Sequence, residues 1–244
     1  MRALYQLLAT RFWINPYGEG RAAEYKPYQL KIAQQTNLSV PRTLITNEPA
    51  AALQFFDTCG GNVIYKTFTA YHRETGDGSY RGIYTTRVRR EDLQARSKTI
   101  ALAPCLFQEY VPKESELRIT VIGDRVFAAE IDSQKSPRMR DDWRRYDHDQ
   151  SLYRPTKLPR EVEKKVQELM RKLGLVFGCI DMILTPEGRY VFLEINPSGQ
   201  WYWVELLTGM PLLDYFTGML IAGKRDYEGP VCPNLGSELG TLSY

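Results

Sequence analysis

Asp181 and Glu194 are two carboxylates thirteen residues apart, each set inside an apolar run, Gly178-Cys-Ile-Asp-Met-Ile-Leu184 and Tyr190-Val-Phe-Leu-Glu-Ile-Asn196. Thr185-Pro186-Glu187-Gly188 between them has a turn composition, so the two runs read as a β-hairpin. With those four residues as the loop, Leu184 faces Arg189 and Asp181 lies opposite Phe192. Side chains alternate along a strand, so Asp181, Phe192, Glu194 and Asn196 are expected on one face. Direct and diagonal cross-strand neighbours lie roughly 5–8 Å apart, a span that a metal ion between carboxylates can bridge. Carboxylate and amide oxygens suit Mg²⁺, which takes few protein ligands and completes its shell with substrate phosphates. Unpaired acids on a covered face would be costly to desolvate; the competing reading is an exposed edge hairpin whose Asp and Glu meet water.

Other polar positions precede the hairpin, beginning with Lys26 and Lys66. Lys66 closes the run Asn62-Val-Ile-Tyr, where an ammonium either gives a point charge to a phosphate or faces solvent. Leu106-Phe-Gln-Glu-Tyr-Val111 places Gln108 and Glu109 in mid-strand, and the strand breaks at Pro112. Backbone groups released by such a break can imitate a base-pairing edge for adenine. Glu116, seven residues beyond Glu109, follows the loop; there it can accept from two ribose hydroxyls or serve as an ordinary surface acid.

The elements that must position these side chains can be read in turn. Leu4–Phe12 reads as a short helix, 15–20 as loop, and Ala22–Thr36 as a helix ended by Asn37 and Pro41. Pro41–Thr46 reads as a strand, and Ala50–Cys59 as a helix with Asn47 as its N-cap. Asn62–Phe68 and Ile83–Val88 are strand-like on either side of a glycine-bearing loop, Arg73–Gly82. A short helix over Arg90–Ala95 and a strand over Cys105–Val111 follow. Glu116–Ile122 and Arg125–Ile131 make a second hairpin around Gly123-Asp124. After an irregular charged stretch, Ser133–Arg154, the spacing of Val162, Val166, Leu169, Met170 and Leu173 predicts an amphipathic helix closed by Gly174. Trp203–Thr208 and Met210–Ala222 read as helices. The class is α+β, divided into an N-terminal segment 1–21, subdomains 22–103 and 104–223, the second on antiparallel strands, and a tail 224–244.

With 244 residues, the chain has room for a substantial core. A net charge of +3, with Lys and Arg dispersed, argues against nucleic acid as the main partner and still suits an anionic ligand. Cys59, Cys105, Cys179 and Cys232 form no CxxC pair, and His72 and His148 lack metal-motif spacing, so neither a zinc site nor a disulfide framework is expected. Cys105 and Cys179 sit in apolar runs as reduced thiols do, which points to the cytoplasm. The first residues make no convincing signal peptide, and the apolar stretch Met210–Gly223 is too short to span a bilayer, so no membrane association is expected.

Together these features resemble the ATP-grasp superfamily, over about Asn15 to Gly223. Within it the chain resembles the graspetide (microviridin-type) ligases that cross-link ribosomal peptides. The stretches that carry the likeness are Trp13-Ile-Asn-Pro16, Val40-Pro-Arg-Thr-Leu-Ile-Thr-Asn47, Ile131-Asp-Ser133, Asp142-Trp-Arg144 and Phe192-Leu-Glu-Ile-Asn-Pro-Ser-Gly-Gln-Trp201. The resemblance implies an ATP-grasp fold whose nucleotide lies between two α+β subdomains. It implies phosphate contacts from Lys26 and Lys66, an adenine frame of Glu109, Tyr110 and Val111, and ribose binding by Glu116. Asp181, Glu194 and Asn196 are the implied Mg²⁺ ligands; Arg144 is the implied arginine near the transferred phosphate, with Arg118 a second candidate. Arg144 can equally be one of several solvated charges in 138–145.

The implied chemistry uses ATP to activate an Asp or Glu side chain of a ribosomal precursor peptide, which a hydroxyl or amine then captures as ester or amide. Ligation of free amino acids or protein C-termini, or nucleotide binding in a regulatory protein without turnover, are the alternatives. Relatives carry a further N-terminal α/β domain, and 25 residues precede Lys26 here, so the chain is expected to lack it. That domain serves acceptor binding and dimerisation, leaving a homodimer or a partner that supplies it as the options.

Overall fold

A computed structural model describes residues 2–8, 10–68, 72–74, 80–82, 85–140, 142–145, 149–227 and 229. The chain opens with helices α1 (Arg2–Leu7), α2 (Tyr17–Ala23) and α3 (Lys26–Gln35), then strand β1 (Thr43–Thr46), α4 (Pro49–Thr58) and β2 (Val63–Lys66). Short strands β3 (His72–Glu74), β4 (Tyr80–Gly82) and β5 (Thr86–Arg87) precede α5 (Arg90–Ala95) and α6 (Ser97–Ile100). Next come β6 (Cys105–Glu109), β7 (Ser115–Ile122), β8 (Arg125–Ile131), β9 (Tyr153–Thr156) and α7 (Arg160–Leu173). The hairpin β10 (Phe177–Leu184) and β11 (Tyr190–Asn196) leads into α8 (Tyr202–Thr208) and α9 (Leu212–Ala222).

The chain forms two compact units, and both are built from segments distant in sequence. The first takes Met1–Ser39, Glu114–Asp132 and His148–Tyr244; the second takes Val40–Lys113 and Ser133–Asp147. The continuous ranges 22–103 and 104–223 therefore do not describe the units. Helix α3 falls with the later strands because Gln29 bonds Ile195 of β11, while 133–147 returns to the second unit, where Asp142 accepts from the Thr85 N–H.

In the first unit an antiparallel five-stranded sheet has the order β11-β10-β7-β8-β9. Ile122, Ala129, Phe177 and Cys179 form an apolar cluster with Val204 of α8 and with Leu212 and Met219 of α9. On α7, Val166, Leu169, Met170 and Leu173 are buried as their spacing predicts, and Gly174 stops the helix at φ 69°. In the second unit the order is β1-β6-β2-β5, with Val63 and Phe107 packed on Ala52, Leu93 and Ile100 from the helices. The α+β class and both major hairpins hold.

Local details differ from the sequence reading. Residues 17–20 are helical rather than loop, and 22–36 is not one helix: Tyr25 is extended, and α3 restarts with Pro27 in its first turn. The first helix stops at Leu7, short of Phe12. The cap of α4 is Glu48 rather than Asn47, and Thr46 Oγ1 accepts the Glu48 N–H at 2.9 Å. Part of Arg73–Gly82 is a strand pair, β3 with β4; residues 75–79 of that loop and Ile83 at the start of the next expected strand lie outside the described residues, as do His148 and Cys232. Cys59, Cys105 and Cys179 are free thiols. Among the described residues no helix is long and apolar enough to cross a membrane.

Candidate functional site

The β10–β11 hairpin turns later than its composition suggests. Thr185 N–H bonds Arg189 O at 2.9 Å and Gly188 N–H bonds Thr185 O at 2.8 Å, so the turn takes in Arg189 and Leu184 pairs with Tyr190. A bulge between Asp181 and Met182 then shifts the register again. The outcome is that Asp181 stands directly opposite Glu194 rather than Phe192, and Cys179 opposite Asn196. Phe192 pairs with Met182 and so leaves the carboxylate face; it is fully buried.

The register of β7 against β10 adds Arg118 opposite Asp181 and Glu116 opposite Ile183. One sheet face therefore carries Glu116, Arg118, Asp181, Glu194 and Asn196. Glu116 is not an acid of the loop: it lies inside β7, 4% exposed. Arg118 Nη1 donates to Asp181 Oδ1 at 2.9 Å and Nη2 to Gln200 O at 2.8 Å. Burial alone would lower the Arg118 guanidinium, but attraction to Asp181, helped by Cys179 and the hydrogen bond, carries it above its ordinary value. Burial pushes the Cys179 thiol up against the pull of Arg118. Lys26 Nζ lies 2.7 Å from Glu194 Oε2, and both side chains are mostly covered. Asn196 is exposed, and its Oδ1 accepts the Ser198 N–H at 2.9 Å.

Two amides absent from the sequence reading of the site frame these strands. Gln29 Nε2 donates to Ile195 O at 2.7 Å and to Ala23 O at 2.5 Å, while its Oε1 accepts the Ile195 N–H at 3.0 Å. Asn15 Oδ1 accepts from Val176 N–H and Phe177 N–H, and its Nδ2 donates to Phe177 O and Pro197 O, tying the start of β10 to the end of β11. The one signal for Gln29 in the sequence is a polar residue beside Leu30, Ile32 and Ala33 on the buried side of α3. Behind the site, a Cβ on Gly199 would sit 2.6 Å from Cys179 Cβ and 3.0 Å from Arg118 Nη2, so only glycine lets the 197–200 loop lie this close.

The second unit holds the remaining candidates. Lys66 ends β2 and pairs with Leu106, on the sheet face away from the Val63–Phe107 core. Glu109 ends β6 rather than sitting in mid-strand; Arg42 Nε and Nη2 donate to its carboxylate at 3.0 and 3.2 Å. Glu109 N–H bonds Arg42 O and Tyr110 N–H bonds Asn62 O, so these two donors belong to the unit's own framework. The Arg87 guanidinium lies 3.3 Å from the centre of the Tyr110 ring, and Val111 is half-buried just beyond. Arg144 turns back on Asp142, with Nε and Nη2 donating at 2.8 and 2.7 Å. Burial pushes the Asp142 carboxyl up, and the Arg144 bonds and charge more than reverse this, leaving it below the ordinary carboxylate range.

The donor set on the first sheet fits Mg²⁺ in kind: two carboxylates in register and a neighbouring amide oxygen. Among the described residues no group of three or more His, Cys, Asp and Glu forms a denser metal cluster. Two facing carboxylates, each met by a cation, can exchange an ammonium for a divalent ion without leaving a bare buried charge.

No protein-family model matches the chain, and no curated protein does. Solved structures do. The chain is 31% identical to a Chryseobacterium gregarium RiPP-associated ATP-grasp ligase in complex with ADP and a leader and core peptide, with a TM-score of 0.83, covering 94% of this chain and 69% of that one. It is 33% identical to the macrocyclase MdnC of Microcystis aeruginosa MRC bound with precursor peptide MdnA (TM-score 0.75; 87% of this chain, 64% of that one). With macrocyclase MdnB of the same organism the identity is 30% (TM-score 0.72; 91% and 67%). The chain thus spans about two thirds of the length of these proteins.

Proposed function

The chain belongs to the ATP-grasp peptide ligases, and from that premise we propose that it uses ATP and Mg²⁺ to activate Asp or Glu side chains of a ribosomal precursor peptide and join them to hydroxyls or amines. The observation that carries this reading is the Asp181–Glu194 pair, set face to face by the bulge, with Arg118 and Lys26 beside it. When bound, ATP would supply the γ-phosphate that activates the peptide carboxylate, with ADP released, and Mg²⁺ would offset phosphate charge; the acceptor hydroxyl or amine would then bond the acyl carbon, giving up its proton as inorganic phosphate leaves.

The chain's residues bind and orient. Asp181, Glu194 and Asn196 hold the cation, and Arg118 fixes the Asp181 carboxylate from behind through Nη1 while anchoring Gln200 O through Nη2. Lys26 and Lys66 meet phosphate oxygens, and Arg144, steered by Asp142, meets the transferred phosphoryl group. Glu116 accepts from ribose hydroxyls, and the chain after Glu109, through Tyr110 and Val111, frames adenine. Phosphoryl transfer depends on positioning and charge stabilisation more than on a protein nucleophile, which agrees with this inventory. A reducing cytoplasm suits its free thiols.

The test is ADP release from ATP and Mg²⁺ with short precursor peptides rich in Thr, Ser, Asp, Glu and Lys, followed by mass spectrometry for loss of one water per bond. Glu194→Gln removes one charge with little change in volume, so it should keep the fold and lose most Mg²⁺-dependent turnover. Undiminished turnover in that variant would remove Glu194 from the cation site. ADP release with free amino acids, and none with peptides, would overturn the peptide assignment.

A further inference from the structure

β11 is the outer strand of its sheet; its outer edge meets Ser39 at Val191 and Phe192, and at Ile195 it meets the side chain of Gln29. One amide group makes both backbone bonds that a neighbouring strand would make there, and Gln29 is 2% exposed. Ile195 is the residue between Glu194 and Asn196. On the inner edge Glu194, Ile195 and Asn196 pair with Asp181, Ile180 and Cys179, and the bulge breaks the ladder immediately before Glu194, so Gln29 holds the outer side of a paired stretch that the bulge cuts off from the rest of β11. Lys26, one turn before Gln29 on α3, reaches Glu194 itself.

We infer that Gln29 is a positioning residue for the cation site: by clamping both backbone groups of Ile195 it fixes the spacing and direction of Glu194 and Asn196. It does not touch the cation. The inference rests on the cation assignment proposed above. A role confined to filling the core would be met by any side chain of the same size, whereas positioning requires the amide.

The experiment uses the full chain with Gln29→Met, an apolar side chain of similar length, and Gln29→Asn, which keeps the amide one methylene short. Mn²⁺ is titrated by electron paramagnetic resonance in the presence of ADP, Ile195 amide exchange is followed by hydrogen–deuterium exchange, and Glu194→Gln is the reference. Gln29→Met should bind Mn²⁺ more weakly, by about 10-fold, the lower end of what losing a group bonded directly to a metal ligand costs, because Gln29 acts through the Ile195 backbone between two ligands. Its Ile195 amide should exchange faster, the Mg²⁺ needed for half-activation should rise, and the KM for peptide should hold. Gln29→Asn should fall between Met and wild type, and it decides by the same measure if the Met protein does not fold.

Wild-type Mn²⁺ affinity in the folded Gln29→Met protein overturns the inference. So does an affinity loss that disappears once the unfolded fraction is discounted. If Glu194→Gln weakens Mn²⁺ and Gln29→Met does not, the role of Gln29 alone fails. If Glu194→Gln also leaves Mn²⁺ binding unchanged, the cation assignment fails and this inference with it.

Discussion

Lys26 and Glu194 share a contact that competes with a divalent cation, since the ammonium lies 2.7 Å from the carboxylate oxygen Oε2. Removing the competitor should therefore help the metal and harm the nucleotide. Lys26→Met is expected to bind Mn²⁺ several-fold more tightly without nucleotide and to bind ATP more weakly, as read by paramagnetic titration and calorimetry. Weaker Mn²⁺ binding in that variant would contradict the exchange. At this scale the sequence was informative where polarity broke an apolar run, as at Asp181 and Glu194, which the hairpin sets face to face. Gln29 was not legible, because its partner Ile195 lies 166 residues away and a single Gln on a helix carries no sign of a strand edge. Glu116 was legible as an acid but not as a buried one, because the loop before it ends one residue sooner than Pro112-Lys-Glu-Ser115 suggests and β7 is buried along its whole length.

Elements with strong periodicity were readable: α7 from its stripe and terminal glycine, and β7–β8 from alternation around Gly123-Asp124. The bulge in β10–β11 was not, because it depends on which neighbours each strand meets and leaves no compositional mark. Close packing also stays silent in the sequence until strands are placed. Gly199 lies where a Cβ would strike Cys179 Cβ, an atom with no freedom to swing away. Gly199→Ala should push the 197–200 loop off Arg118 and cost roughly 1–3 kcal/mol, typical of forced overpacking, measurable by urea denaturation. Unchanged stability would mean the loop yields freely.

For the whole molecule the main lesson is interleaving. The chain crosses between its two units four times, at 39–40, 113–114, 132–133 and 147–148, which a reading by continuous ranges could not reveal. The returning segment is secured within the second unit partly by Asp142, which accepts from the Thr85 N–H at 3.3 Å and from Arg144. The folded Asp142 value lies below the unfolded one, so the stability it adds is complete above the ordinary carboxylate range and is lost as pH falls through the lower folded value. Asp142→Asn should melt earlier than wild type near neutrality, and the gap should close in acid; a gap that widens on acidification would refute the pairing.

The strand order has a consequence for synthesis. β7 and β8 emerge from the ribosome as a hairpin, but the other neighbour of β7 is β10, which follows only after β9 and α7. Throughout that interval β7 offers a bare hydrogen-bonding edge along a strand rich in apolar side chains, Ile119, Val121 and Ile122 among them, a template for mispairing with another nascent chain. Yield in cells should thus depend on how fast translation carries β10 out of the exit tunnel, and on chaperones that shield the edge until it arrives.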